Sequence, residues 1–130
     1  SAETLAAVVE GILNENDLLL AIPDRAIYNS NNVRNILLTS YRYKVPLIGI
    51  SQAYVNAGAL GAIFSTPEQL AEQTAAAIVS FARNKQLPEP QYPVSFVIVL
   101  NQQVARSLGI ALGSPEQIRR DMDKLGEGRR

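Results

Sequence analysis

Short apolar runs alternate along the chain with segments in which apolar residues recur every three or four positions. The runs 17–22, 45–51, 58–64 and 94–100 have the length of β-strands, and the segments between them have the period of amphipathic helices. The predicted order is α-β-α-β-α-β-α-β-α, followed by a helix over 114–125. This alternation predicts an α/β fold: a three-layer arrangement in which helices cover both faces of a parallel sheet.

Most of the predicted strands read as continuous apolar runs, which is typical of strands buried on both faces. The helices carry apolar stripes that we expect to be buried. In the second helix the stripe comprises Val33, Ile36, Leu37 and Tyr41; in the long helix after the third strand it comprises Leu70, Thr74, Ala77, Ile78 and Phe81; and in the last helix it comprises Ile118, Met122 and Leu125.

Several helix ends are marked by capping residues. Thr66 and Gln69 have the spacing of a capping box, and Ser114 begins a second segment of the same kind. Asn101 is predicted to cap a short helix that ends at Gly109.

Polar and aromatic residues follow the first two predicted strands. Ligands of open α/β sheets bind beyond the carboxyl ends of the strands, so these residues are candidates for a binding site. They are Asp24, Tyr28, Asn29, Ser30, Ser51, Gln52 and Tyr54. Purely structural interpretations stay open, because Asn29 is also a capping residue, Asp24 a turn former and Tyr54 a core or surface filler.

Composition narrows the chemistry that these residues can perform. The chain has no His and no Cys, which excludes thiol catalysis and His-based acid–base catalysis, and its 12 Lys and Arg balance 12 Asp and Glu. Zero net charge disfavours nucleic-acid binding, and no phosphate-binding or nucleophile-elbow motif occurs. We expect no catalytic residue, no metal, no cofactor and no enzymatic activity. No apolar run approaches the roughly 20 residues of a membrane-spanning helix.

Three parts of the chain carry a resemblance to a known family. Pro23, Asp24, Asn29 and Ser30 match a strand-ending turn; Lys44, Pro46, Gly58, Ala59 and Leu60 match a second strand and a Gly-Ala-Leu step; and Asn101, Ala105, Leu108, Gly109 and Ile110 match a closing signature. Over 5–112 the chain resembles the periplasmic substrate-binding proteins of ABC transporters related to tryptophan and tyrosine uptake. It departs from them at 65–71, where those proteins carry a Tyr-rich, Gly-containing stretch.

The resemblance implies a type I periplasmic-binding fold, with 1–112 as its C-terminal lobe and 113–130 as a C-terminal helix and basic tail. It implies a further lobe upstream, a small-molecule solute of which an amino acid is the leading class, an ABC permease as partner, and a periplasmic or otherwise extracytoplasmic location. By position, Asp24, Asn29, Ser30, Ser51 and Gly58 fall where the lobe faces the ligand cleft.

Two further expectations follow from this interpretation. The strand at 17–22 would lack a sheet neighbour, so we expect self-association through that edge or through a swapped strand such as 94–100. Alternative functions stay open at this point: a ligand-sensing domain of a signalling receptor, and a flavodoxin-like enzyme or interaction domain that shares only the alternation of elements.

Overall fold

The computed structural model of the protein describes residues 2–127. Within them the elements follow in the order α1 (Ala2–Glu15), β1 (Leu19–Leu20), α2 (Val33–Arg42), β2 (Leu47–Gly49), α3 (Gln52–Ala57), β3 (Gly61–Phe64), α4 (Pro67–Asn84), β4 (Val97–Leu100), α5 (Gln102–Leu108) and α6 (Pro115–Glu127). No helix in the described part of the chain is both long enough and apolar enough to span a membrane.

The four strands form one open sheet in the order β1-β2-β3-β4. β1 pairs with β2 in parallel, with Leu19 opposite Leu47, and β2 pairs with β3 in parallel, with Ile48 opposite Gly61. A helix connects each strand to the next, as parallel pairing requires. The predicted α/β class is therefore confirmed.

The chain divides into two compact units, and the first comprises the residues up to Ala62 and those from Ile98 onward. Its core is formed by side chains of α1, α2 and β2 and of the segments next to the strands: Val9, Leu13, Ala21, Ile36, Leu37, Val45, Leu47 and Ala59. Among them the hydroxyl of buried Ser40 donates to the carbonyl of Val45, which joins the end of α2 to the start of β2.

The first strand differs from its prediction. Only Leu19–Leu20 pair with β2, and the side chains of Leu18, Leu20 and Ile22 are 51%, 62% and 58% exposed. The prediction of a strand buried on both faces is wrong here because only one face of this segment packs against the core. Its residues alternate: Leu19 and Ala21 pack toward the core, and the others face solvent.

The second unit, Ile63–Val97, contains α4 and an extended segment. The predicted buried stripe of α4 is wrong, since none of its residues is buried and Leu70, Ile78 and Phe81 are 45%, 62% and 43% exposed. One helix and one extended segment bring too little apolar surface together within this unit to cover the stripe.

The other three strands are also shorter than predicted. β2 comprises only Leu47–Gly49 of the predicted 45–51. β3 begins at Gly61, because Gly58 closes α3 in the left-handed conformation, with φ 118°. β4 begins at Val97 instead of Val94. The backbone N–H of Val94 donates to Oε1 of Gln73 in α4, at 3.1 Å, and is used there instead of in the sheet.

The capping predictions are confirmed. Thr66 and Gln69 form a capping box, the Asn101 side chain accepts from the N–H of Val104, and Gly109 ends α5 with φ 70°. Ser114 accepts from the N–H of Gln117 at 3.2 Å.

In the other helices, two residues of the predicted apolar stripes are more exposed than predicted. They are Tyr41 in α2 (47%) and Leu125 in α6 (72%). The division of the chain at 112 stays a prediction, and 128–130 of the predicted basic tail lie outside the described residues.

Candidate functional site

The loop after β1 is organised by the side chain of Asp24. Its Oδ1 accepts from the N–H groups of Ala26 and Ile27 at 2.8 and 3.3 Å, and its backbone carbonyl accepts from the N–H of Tyr28 at 2.7 Å. Asp24 therefore forms a turn, which was the structural interpretation of this residue from the sequence. Its Oδ2 has no hydrogen-bond partner among the described residues, so one carboxylate oxygen is available to a ligand.

Asn29 uses its whole amide within the same loop. Its Oδ1 accepts from the N–H groups of Asn31 and Asn32, each at 3.1 Å, and its Nδ2 donates to the carbonyls of Arg25 and Ala26 at 3.2 and 3.3 Å. Asn29 thereby shapes the approach to α2, whereas Asn32 at the N-cap makes no side-chain cap bond. The adjacent Ser30 is exposed.

The second loop includes Ser51, which is separated from the end of β2 by Ile50. Ser51 is the N-cap of α3, yet its hydroxyl makes no cap hydrogen bond. Gln52 in the first turn donates from Nε2 to Oδ1 of Asn56 at 2.9 Å and is exposed. The half-buried Ser51 hydroxyl is thus a polar group at the carboxyl end of β2 without a hydrogen-bond partner in the described part of the chain.

An aromatic pair joins the two loops. The rings of Tyr28 and Tyr54 have their centroids 6.3 Å apart with an interplanar angle of 52°, a tilted contact of the kind that aromatic pairs favour. Burial raises the pKa of Tyr28, with the neighbouring Tyr54 phenol as a second cause, and burial also raises the pKa of Tyr54. Both phenols therefore stay neutral at physiological pH and can donate or accept a hydrogen bond.

The parallel pairing of β1 with β2 explains why these loops meet. The carboxyl ends of neighbouring parallel strands lie at the same edge of a sheet, so the residues that follow Ala21 and Ile50 are brought together. Six predicted site residues share this edge: Asp24, Asn29, Ser30, Ser51, Gln52 and Tyr54. Tyr28 lies with them.

Gly58 does not lie with the other predicted residues. It follows α3, and it lines a small space together with Val45 and Pro46, which lead into the amino end of β2. The structure therefore places Gly58 at the opposite edge of the sheet. The prediction put it within a strand, whereas its positive φ gives it the role of a helix cap.

Two residues that position the site were not among the predicted ones. A Cβ atom on Gly49 would overlap Tyr54, so this glycine lets the ring approach β2. Asn101, predicted only as a cap, also donates from Nδ2 to the carbonyl of Val55 at 3.1 Å and so holds α3. A glycine inside an apolar strand run is a recognisable signal of close approach, but the reach of Asn101 over 46 positions has no local signal.

The described residues contain no group of three or more acidic side chains arranged to hold a metal ion. The site offers Oδ2 of Asp24, the hydroxyl of Ser51 and the rings of Tyr28 and Tyr54, which are partly buried against the core. Such a set has the groups needed to hydrogen-bond to a small organic molecule and to stack against it.

Three solved structures share the fold of this chain. A substrate binding protein with adhesive properties from Clostridium difficile, CD0873, in a ligand-free open form, matches with a TM-score of 0.68 at 17% identity. An ABC domain from Streptococcus pneumonia in complex with L-Trp matches with a TM-score of 0.60 at 21% identity, and a conserved domain protein from Vibrio cholerae O1 biovar El Tor strain N16961 matches with 0.61 at 19%. The chain has the fold of part of a substrate-binding protein.

The matches cover 88–89% of this chain but only 38–39% of the solved chains. The chain therefore spans well under half the length of these structures. No family model matches the sequence, and no curated protein does. At these identities the likeness establishes the fold alone.

Proposed function

We propose that this chain is a solute-binding lobe that holds a small organic molecule at the carboxyl ends of β1 and β2. The observation that carries the proposal is the Tyr28–Tyr54 pair, which joins the two strand-end loops at the place where α/β sheets bind ligands. The shared fold supports it, since the solved chains of this fold include a substrate-binding protein and a domain with a bound amino acid.

The chemistry at this edge favours binding over catalysis. Asp24 uses one carboxylate oxygen to form its own turn, and the chain has no His or Cys to activate the hydroxyl of Ser51. We therefore propose that the protein holds its ligand unchanged and is not an enzyme.

The finer proposal is that the solute is an amino acid taken up by an ABC-type system. The L-Trp complex of the Streptococcus domain supports this class, because the phenol faces of Tyr28 and Tyr54 suit an aromatic or apolar side chain and Oδ2 of Asp24 suits an ammonium group. In this role the protein acts outside the cytoplasm and delivers its solute to a membrane permease.

Affinity in this chain alone is expected to be low. Tight ligand sites bury 70–90% of the ligand surface, and the loops after β1 and β2 form one wall of such a site. The chain also spans only 38–39% of the solved chains. We propose that the opposite wall belongs to a second lobe, as in a two-lobed binding protein.

An NMR titration of the 130-residue chain with individual amino acids tests the proposal. We expect small, saturable shifts at millimolar ligand that are confined to 24–30 and 51–56. Tyr54→Leu and Tyr28→Leu, which keep apolar bulk but remove the ring, should weaken them severalfold.

Tyr92→Leu is the matched control, because Tyr92 is 90% exposed and belongs to the other unit. Shifts that are absent for the whole panel, or that survive both ring substitutions unchanged, would refute the proposed site.

A second part of the proposal concerns self-association at the β1 edge. The backbone N–H groups of Leu19 and Ala21 donate to the carbonyls of Pro46 and Ile48. Leu20, which lies between them, therefore directs its backbone N–H and carbonyl groups away from β2, to the open edge of the sheet. Five exposed apolar side chains around it line a groove of about 240 Å³: Val8, Ile12, Leu20, Ile22 and Ile27. With the neighbouring Leu18 they are 40–62% exposed.

The area of this patch predicts a weak contact between two copies. A whole aliphatic side chain has an apolar area of roughly 120 Å². Six half-exposed side chains in each of two copies would therefore bury about 700 Å² in total. Stable interfaces bury more than about 1,000 Å². We propose that two copies pair through this edge only at high concentration.

A further inference from the structure

Gly49, the last residue of β2, lies against the helix that carries Tyr54. A Cβ atom built on Gly49 would be 2.3 Å from Cβ of Tyr54, 2.8 Å from its Cγ and 3.0 Å from its Cδ1. Real carbon atoms do not approach to 2.3 Å without a bond, so only glycine at 49 permits the observed position of Tyr54.

We infer that Gly49 is a positioning residue of the binding site: by lacking a side chain it lets α3 approach β2 and holds the Tyr54 ring beside Tyr28. Only the expected effect of Gly49 on ligand affinity rests on the proposed function. The placement of the two rings is a property of the chain itself.

The overlap cannot be relieved by turning the Tyr54 side chain. The nearest atom is Cβ, which is attached to the backbone of α3 and does not move with the ring torsions. The helix is also anchored at its carboxyl-terminal side. Val55 is buried with 5% exposure, its carbonyl accepts from Nδ2 of Asn101, and the Tyr54 carbonyl accepts from the N–H of Ala59 at 2.9 Å.

A methyl group at 49 must therefore shift α3 as a body or displace β2. Either movement separates Tyr54 from Tyr28, because Tyr28 is held by the loop after β1, through the hydrogen bond from its N–H to the carbonyl of Asp24. The contact between the rings has a centroid separation of 6.3 Å. Aromatic pairs have separations of roughly 4.5–7 Å, so a movement of about 1 Å that separates the rings breaks the contact.

Gly61 provides a matched control in the neighbouring strand. It is buried, and a Cβ atom there would meet the Val99 carbonyl oxygen at 2.9 Å and Cδ2 of Leu100 at 3.1 Å. Gly61→Ala therefore also introduces an overlap in the sheet, a milder one than at Gly49, that does not involve either tyrosine. A purely structural role for strand glycines predicts the same outcome for both substitutions.

The first experiment needs no ligand and compares Gly49→Ala with Gly61→Ala by NMR. We expect the NOE cross-peaks between the Tyr28 and Tyr54 rings to disappear in Gly49→Ala and to persist in Gly61→Ala. Ring contacts that persist in folded Gly49→Ala would overturn the inference.

The second experiment covers the case in which Gly49→Ala unfolds. Gly49→Ala is measured in the native background and in Tyr54→Gly, where the overlapping Cβ is absent. We expect the melting temperature to fall clearly in the native background and to change little in Tyr54→Gly. An equal loss in both backgrounds, including failure of both to fold, would overturn the inference.

The ligand titration then separates this inference from the proposed function. If the native chain binds no amino acid, the proposed function fails, yet the ring contacts and the melting temperatures still report on Gly49. If the native chain binds, Gly49→Ala should lose affinity severalfold while Gly61→Ala keeps it. Equal affinities for folded Gly49→Ala and the native chain would contradict the consequence for binding.

Discussion

The Asn101 side chain makes two hydrogen bonds, and substitutions should separate their contributions to the free energy of unfolding. Its Oδ1 accepts from the N–H of Val104 at 3.0 Å and caps α5, and its Nδ2 donates to the carbonyl of Val55 at 3.1 Å and holds α3. Asn101→Ala removes both bonds, whereas Asn101→Asp keeps an acceptor for the cap and loses the donor to Val55.

The contributions can be estimated from the structure. Loss of an N-cap costs about 1 kcal/mol of unfolding free energy. A half-buried hydrogen bond contributes ~1 kcal/mol, and its loss adds no penalty for an unsatisfied acceptor because the Val55 carbonyl also accepts from the N–H of Gly58 at 3.2 Å. We expect Asn101→Ala to lose about 2 kcal/mol and Asn101→Asp to lose ~1 kcal/mol.

Urea unfolding followed by circular dichroism measures these losses, and thermal melts should shift by about 4 °C per kcal/mol for a chain of this size. Ser114→Ala is the matched control, since Ser114 caps α6 through Gln117 at 3.2 Å, so its removal should cost only the cap. If Asn101→Ala and Ser114→Ala prove equally destabilising, the bond to Val55 contributes nothing and the reasoning fails.

Two further predictions concern the β1 edge and the tyrosine pair. Leu20→Lys should abolish concentration-dependent association in sedimentation equilibrium, because a charge on an edge strand blocks pairing. The melting temperature should change little, since the Leu20 side chain is 62% exposed. Association that is unchanged by Leu20→Lys would rule out this edge. The second prediction concerns pH. Burial raises the pKa of Tyr28 in the folded chain, so the folded chain keeps a phenol proton that the unfolded chain releases near pH 10. The contribution of Tyr28 to the free energy of unfolding should therefore be complete below that pH and be lost as pH rises through the folded-state pKa. Urea midpoints at pH 8 and above pH 10 should show this fall in the native chain and a smaller fall in Tyr28→Phe, and identical profiles would contradict it.

The order of the elements was predictable because it depends on local patterns. Apolar periodicity and strand-length runs identified the helices and strands, and the capping signals at Thr66, Asn101 and Ser114 placed three helix starts. These features depend on side chains that contact their own backbone within a few positions, so a single sequence contains the whole interaction.

Burial was less predictable, because it depends on what other parts of the chain cover. The stripe of α4 reads as a core face, yet Ile78 is 62% exposed, and the run at 17–22 reads as a central strand, yet β1 lies at the edge. An apolar pattern indicates that a face of a helix or strand can be buried. Whether the face is buried depends on which other elements of the chain pack against it.

The candidate site shows the same division. Its residue types and their place after the strands came from the sequence, because parallel sheets bind ligands at their carboxyl ends. The sequence by itself thus determined the α/β order, the helix caps and the loops that hold the site. Only the tertiary structure decided that Tyr28 meets Tyr54, that Gly58 lies at the other edge, and that Gly49 and Asn101 hold α3 in place. The Tyr28–Tyr54 and Asn101–Val55 contacts join residues distant along the chain, so no local pattern encodes them. The approach of Tyr54 to Gly49 joins residues five positions apart, and its geometry is set by how β2 and α3 pack.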